Sequence, residues 1–163
     1  MSSHRRPFRL LVLPAASALL ALAGCAPGDS EARVEPPPAP PAEVAKLCAA
    51  LHGELPRTVA GLGRAATEPA SDLTAAWGGS AIVLRCGIPK PPAMADPQQD
   101  GVEVNGVGWL VQRTPDGGLV FTTTSRLAYT EVRIDKEHAT DAQMLVGLSA
   151  AVEKTVPTGI SSY

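Results

Sequence analysis

The chain has 163 residues and a formal charge of −2, with 45% hydrophobic, 18% charged and only 4% aromatic residues. That suffices for one domain with a single core, and the acidic balance excludes the electrostatic footprint of a nucleic-acid binder. No Walker loop, Gly-x-Ser-x-Gly elbow or cysteine–histidine metal spacing occurs, and Gly61-x-Gly63 lacks the rest of a dinucleotide fingerprint, so no cofactor and no metal are expected.

The first nine residues carry Arg5, Arg6 and Arg9 and no acid, and Leu10 to Leu22 is an apolar run of 13 residues interrupted by Pro14. A bilayer-spanning helix needs about 20 apolar residues, so the run has the length of a signal-peptide core. It ends on Leu22-Ala23-Gly24-Cys25, which resembles the bacterial lipobox. The resemblance implies cleavage between Gly24 and Cys25 and a thioether-linked diacylglycerol on Cys25; the alternative is an ordinary cleaved signal with a chance cysteine. Two acyl chains anchor stably where one is marginal. Arg5-Arg6-Pro7-Phe8 partly resembles a twin-arginine export signal, with Arg9 where leucine is usual.

Residues 1–24 hold three basic residues and no acid, so the remaining 139 carry 11 basic against 16 acidic residues, a net charge of −5. No polybasic patch is present to hold such a chain flat on anionic lipid; the lipid on Cys25 would make the membrane contact. With Cys25 assigned to lipid, Cys48 and Cys86 are left as a disulfide pair in an oxidising compartment, or else as two free buried thiols.

Residues 25–42, the lipidated cysteine and its linker, hold six prolines and no periodic apolar residue. An extended polyproline II segment of this kind would reach roughly 50 Å at about 3.1 Å per residue, standing the domain off the membrane. Residues 43–157 read as the folded extracytoplasmic domain and 158–163 as a tail. Val44, Leu47, Cys48, Leu51 and Leu55 form the stripe of an amphipathic helix that Pro56 ends. Arg57–Ala60 is a short strand candidate, and the glycine- and alanine-rich chain to Trp77-Gly78-Gly79 reads as irregular. Ala81–Cys86 is a strand with Ile82, Leu84 and Cys86 on one face, so both cysteines face inward. After a proline-rich loop, 89–100, come strands at about 102–113, 119–124 and 128–134, with Pro115-Asp116-Gly117-Gly118 as a hairpin turn and Asn105-Gly106 as a further turn or a bulge that splits the first of them. Thr140 and Gln143 have capping-box spacing, opening a helix with Met144, Leu145, Leu148, Ala151 and Val152 on one face. The expected fold is a single small α+β domain: an antiparallel sheet of about four strands with both helices packed on one face.

Chemistry is sparse. His52 and His138 stand apart from any nucleophile motif, and the carboxylates are scattered. Trp109, between Val107 and Val111 at strand spacing, reads as core. In the last strand Tyr129, Glu131 and Arg133 share the face opposite Thr130, Val132 and Ile134. Arg85, Tyr129 and Arg133 therefore form a candidate anion-binding group on an open sheet face, since guanidinium grips carboxylate or phosphate in bidentate fashion; the bland alternative is solvated residues on an exposed sheet.

Leu55-Pro56, Arg64, Ala76-Trp77-Gly78, Ile82-Val83-Leu84-Arg85-Cys86-Gly87, Val107-x-Trp109, Phe121-Thr122-Thr123, Arg126 and Tyr129 together resemble an actinobacterial lipoprotein family catalogued as domain of unknown function 3515. The resemblance runs from about Cys48 to Pro157 and implies a lipoprotein on the outer face of the cytoplasmic membrane of a monoderm envelope; it brings no activity. The expected function is a non-catalytic, lipid-anchored domain binding an envelope protein or a small anionic ligand. The alternatives are an accessory subunit of a membrane or wall-assembly complex and, third, an envelope hydrolase with convergent acidic groups in a pocket.

Overall fold

A computed structural model describes residues 31–140, 142–161 and 163; the stretch Leu22–Cys25 lies outside the described residues. The fold is α+β, but the sheet has eight strands, not four. In chain order the elements are β1 (Ala32–Arg33), α1 (Ala42–Glu54), β2 (Thr58–Val59), β3 (Leu62–Ala65), β4 (Thr67–Glu68), β5 (Thr74–Trp77), β6 (Ile82–Cys86), β7 (Gly101–Val104), β8 (Val107–Arg113), β9 (Leu119–Thr123), β10 (Thr130–Ile134) and α2 (Leu145–Thr155). The main sheet runs β2-β3-β5-β6-β10-β9-β8-β7 with every neighbour antiparallel. β1 and β4 form a separate parallel pair.

The extra strands come from the Asn105-Gly106 turn, which the sequence offers, and from the stretch 57–80, which departs from expectation. Asn105-Gly106 is the turn of a hairpin that splits the long 102–113 strand into β7 and β8, with Val104 opposite Val107; Asn105 and Gly106 both take positive φ, as such a turn requires. The stretch 57–80, expected to be irregular beyond one short strand, folds as β2, β3, β4 and β5 because Thr74–Trp77 pairs along β6 and Arg64–Ala65 pairs along β5. Alanine and glycine have low strand propensity; tertiary pairing overrides it.

Both helices pack on one face, as expected. Val44, Cys48, Leu51 and Leu55 from the first helix region and Leu145, Leu148, Ala151 and Val152 from α2 meet Ile82, Leu84, Trp109, Phe121, Val132 and Ile134 of the sheet. Each tryptophan keeps its indole N–H satisfied in this core: Trp77 Nε1 donates to the Pro56 carbonyl and Trp109 Nε1 to Ser149 Oγ, both at 3.0 Å. Helix α1 ends before Pro56 as the proline dictates. Helix α2 begins later than the capping box suggests: a 3-10 turn spans Ala142–Met144, and no side chain caps the α-helix at Met144.

The segment expected to be a free linker is partly structured. Ala32 and Val34 are buried against Ala65 and Ala76 on the sheet face away from the helices, with Val83 beside them. The Ala32 and Val34 N–H groups donate to the Ala66 and Glu68 carbonyls. Pro37 is buried as well, and the Tyr163 hydroxyl donates to the Pro38 carbonyl. Among the described residues, packing on the sheet therefore reaches back to Ala32, ahead of residue 43.

Cys48 and Cys86 are bonded, with Cα atoms 5.5 Å apart, at 0% and 1% exposure. The disulfide ties α1 to the centre of the sheet. Gly87, at φ +82°, follows directly; a Cβ there would stand 3.1 Å from Pro40 Cγ and 3.4 Å from Cys48 Sγ, so glycine lets the entering chain close over the disulfide.

Candidate functional site

The sheet face opposite the helices holds the candidate residues, and the register brings two of them together. Glu131 lies directly across from Arg85 in the β6–β10 ladder, and Arg133 across from Val83. The two guanidiniums are diagonal neighbours, but Arg85 Nη1 is 3.6 Å from Glu131 Oε1, so its charge is largely matched. Arg85 Nε is buried without a hydrogen-bond partner. Arg133 is exposed. Of these three charged groups, the Arg133 guanidinium is the one left without a matching carboxylate.

Tyr129 shares this face but not this environment. It is 3% exposed and sits one residue before β10, where its carbonyl accepts the Gly87 N–H at 2.9 Å. Its side chain lines a cavity of about 500 Å³ between the end of the sheet and the segment joining β6 to β7. That connection, expected as a plain proline-rich loop, crosses from the centre of the sheet to its edge and contains a 3-10 turn at Pro92–Ala95. Met94, Leu110 and Ile160 supply apolar lining; Lys90, Thr124, Ser125, Asp96, Asp100 and Glu103 supply polar groups. Gly108, in the cavity wall, makes room for the Thr124 hydroxyl, which a Cβ at that position would strike. Lys90, Met94, Asp96, Asp100, Ser125 and Ile160 lie outside every periodic stretch and every motif of the sequence. A lysine alone in a proline-rich loop was the one available signal.

The acidic groups at the rim are exposed. Asp96 accepts the Gln98 N–H at 2.9 Å and the Gln99 side-chain amide at 3.1 Å, and these bonds hold its carboxyl below the usual range. A general acid needs the opposite shift.

Two other arginines act on the fold. Arg64 lies over the Trp77 ring at 5.7 Å from its centroid, and its Nη1 donates at 3.4–3.5 Å to the His52 and Leu55 carbonyls that end α1. Burial lowers the Arg64 pKa. Burial first, then the Arg64 charge, lowers that of His52, against the opposing pull of Asp72, which is 3.7 Å away. Arg126, 3% exposed, donates to the Val156 carbonyl at 2.9 Å and the Gly106 carbonyl at 2.8 Å, and pairs with Glu153. It thereby fastens the end of α2 to the β7–β8 turn. His138 is bonded to Asp135 at 2.7 Å in an exposed turn. Among the described residues no group of three or more His, Cys, Asp or Glu could hold a metal ion, and no helix is long and apolar enough to cross a membrane.

The model of a family described as protein of unknown function (DUF3515) matches residues 9–160. The chain belongs to that family. No curated protein and no solved structure matches it. Of the residues carrying the family resemblance, Arg64, Trp77, Cys86, Gly87, Trp109 and Arg126 have their contacts inside the fold; Trp109 and Tyr129 also line the cavity.

Proposed function

We propose that the chain is an extracytoplasmic lipoprotein: cleaved before Cys25, diacylated on that cysteine, and held on the outer face of the cytoplasmic membrane. Its domain serves there as a non-catalytic binding module of the envelope. The observation that carries this reading is the buried Cys48–Cys86 disulfide. Such bonds belong to oxidising compartments, and this one leaves Cys25 as the remaining cysteine, behind an apolar run of signal-peptide length.

The docking of Ala32 changes the geometry of anchoring. Among the described residues the chain first pairs at Ala32, seven positions after Cys25, so a tether between the two can reach no further than about 25 Å at about 3.3–3.6 Å per residue, not the 50 Å of a free stalk. A domain held this close favours, as second reading, an accessory subunit that works against a membrane protein or the nascent wall. Binding is preferred to hydrolysis because the cavity carboxylates are exposed and Asp96 is held in its ionised form. Capture of a small anion by Arg85 and Arg133 is the weaker form of the binding reading, since Glu131 already occupies Arg85.

Fractionation tests the anchoring. The wild-type chain is expected in the membrane fraction and released by detergent, and Cys25→Ala in the soluble or unprocessed fraction. Identical membrane retention of both as chains of the same processed length would remove the lipoprotein reading.

A further inference from the structure

We infer that the cavity under the 88–100 segment binds a short, extended zwitterionic peptide, with its carboxylate at Lys90 and its ammonium at Asp100 and Glu103. This deepens the binding reading and rests on it. The cavity, at about 500 Å³, falls within the range of small-ligand sites, which pair apolar walls with a few placed polar groups. Met94, Leu110 and Ile160 are the apolar part; Ile160 is 82% exposed, a large apolar side chain left at the mouth.

The strand order divides the charged part between two ends. Lys90 follows Ile88, whose N–H is bonded to the Tyr129 carbonyl, which places it at the β10 end of the cavity. Asp100 and Glu103 flank and belong to β7, the edge strand three positions away across β9 and β8. At about 4.8 Å per strand the two ends are roughly 14 Å apart, the span of a short extended peptide at about 3.3 Å per residue plus its terminal groups. Lys90 makes no ion pair or hydrogen bond through its side chain among the described residues, and neither do Asp100 and Glu103. Opposite charges at the two ends of a trough, each free, suit a molecule with the reverse polarity.

Tyr129 supplies the independent observation. Its side chain is almost wholly buried, yet its hydroxyl has no partner among the described residues and is not one of the sealed-off polar atoms. A buried phenol normally finds a hydrogen bond. Tyr129 lines the cavity together with Thr124, so its hydroxyl is available to a peptide amide or carbonyl. The direction of β1 adds orientation. It runs toward the Cys86 end of the sheet, as its pairing with β4 and the antiparallel β3–β5–β6 ladder require. The chain therefore enters Ala32 from the opposite end, and the cavity mouth lies at the end away from that entry.

The test is calorimetric titration of the full-length chain in detergent with the tripeptide Gly-Leu-Gly, its N-acetyl form and its C-terminal amide. The free peptide is expected to bind saturably, and blocking either terminus to weaken binding at least tenfold. Lys90→Gln is expected to weaken the free peptide to the level of the amide while leaving the amide unchanged; the D100N/E103Q double variant should do the same for the acetyl form. Tyr129→Phe is expected to weaken all three peptides with no change in melting temperature, because the lost hydroxyl has no protein partner. Equal affinity for free and blocked peptides, or no saturation up to about 10 mM peptide, would overturn the proposal. Neither result touches membrane retention of the chain, so failure here is distinguishable from failure of the anchoring reading.

Discussion

Removing the Cys48–Cys86 disulfide by the double substitution C48A/C86A perturbs the link between α1 and the centre of the sheet. The bridged residues are 38 apart in sequence. In the chain-entropy model a loop of this length restricts the unfolded chain by about 13 cal/mol/K, which stabilises the fold by about 4 kcal/mol at 25 °C. A further contribution of order 1 kcal/mol comes from the lost sulfurs, since both sites are fully buried in the core. Urea denaturation followed by tryptophan fluorescence measures the sum through the two core indoles. With a slope of about 2 kcal/mol/M, the midpoint is expected to fall by about 2.5 M. Reduction of the wild-type chain under denaturing conditions and refolding without oxidant separates the cross-link from the packing, and should reproduce most of the loss. A double variant with an unchanged midpoint would refute the reasoning. It would mean either that the unfolded chain is already compact around this loop or that the bond is not formed in the native protein.

Arg126→Ala is expected to destabilise by about 3 kcal/mol, because the buried Val156 carbonyl loses its charged donor and Glu153 its partner; thermal denaturation measures it, and Arg126→Lys should restore little, a point charge being unable to reach both carbonyls. Gly118→Ala should cost about 1–3 kcal/mol, since a Cβ there would lie 2.6 Å from the Ile134 carbonyl oxygen, which the end of β10 holds in place. Gly53→Ala, in α1 with nothing within 4 Å of the new methyl, should instead stabilise by up to about 1 kcal/mol; paired urea curves distinguish the two signs. The lowered pKa of His52 means that the unfolded chain binds the proton more readily. This contribution to stability is full above the unfolded-state pKa of about 6.5 and is lost as pH falls through it toward the folded value. His52→Gln should flatten the stability–pH curve in that window, and an unchanged slope there would contradict the assignment.

The elements legible in the sequence were those with one unambiguous period. The α1 stripe from Val44 to Leu55, the β6 run Ile82–Cys86 and the β10 alternation each bury the residues that their spacing predicts, and the cysteines face one another because both patterns point inward. The stretch 57–80 was opaque because Ala65, Ala75 and Ala76 become buried only through the β3–β5–β6 ladder and, for Ala65 and Ala76, through packing against Ala32 and Val34, which no local window contains. The same holds for Ala32 and Val34: two apolar residues ahead of a run of prolines make no period, and their partner strand β4 is itself two residues long. Of the candidate group, the shared face of Arg85, Glu131 and Arg133 followed from alternation. The cross-strand match of Arg85 with Glu131 depends on register, and the separation of Tyr129 into a cavity depends on where the proline-rich segment crosses the sheet. Alternation carries neither.

Mass spectrometry of the N-terminal tryptic peptide from the membrane fraction tests the central claim most directly. The account predicts a peptide beginning at Cys25 and ending at Arg33, carrying a thioether-linked diacylglycerol on its first residue. A membrane-associated chain that begins elsewhere, or whose Cys25 is unmodified, would contradict it.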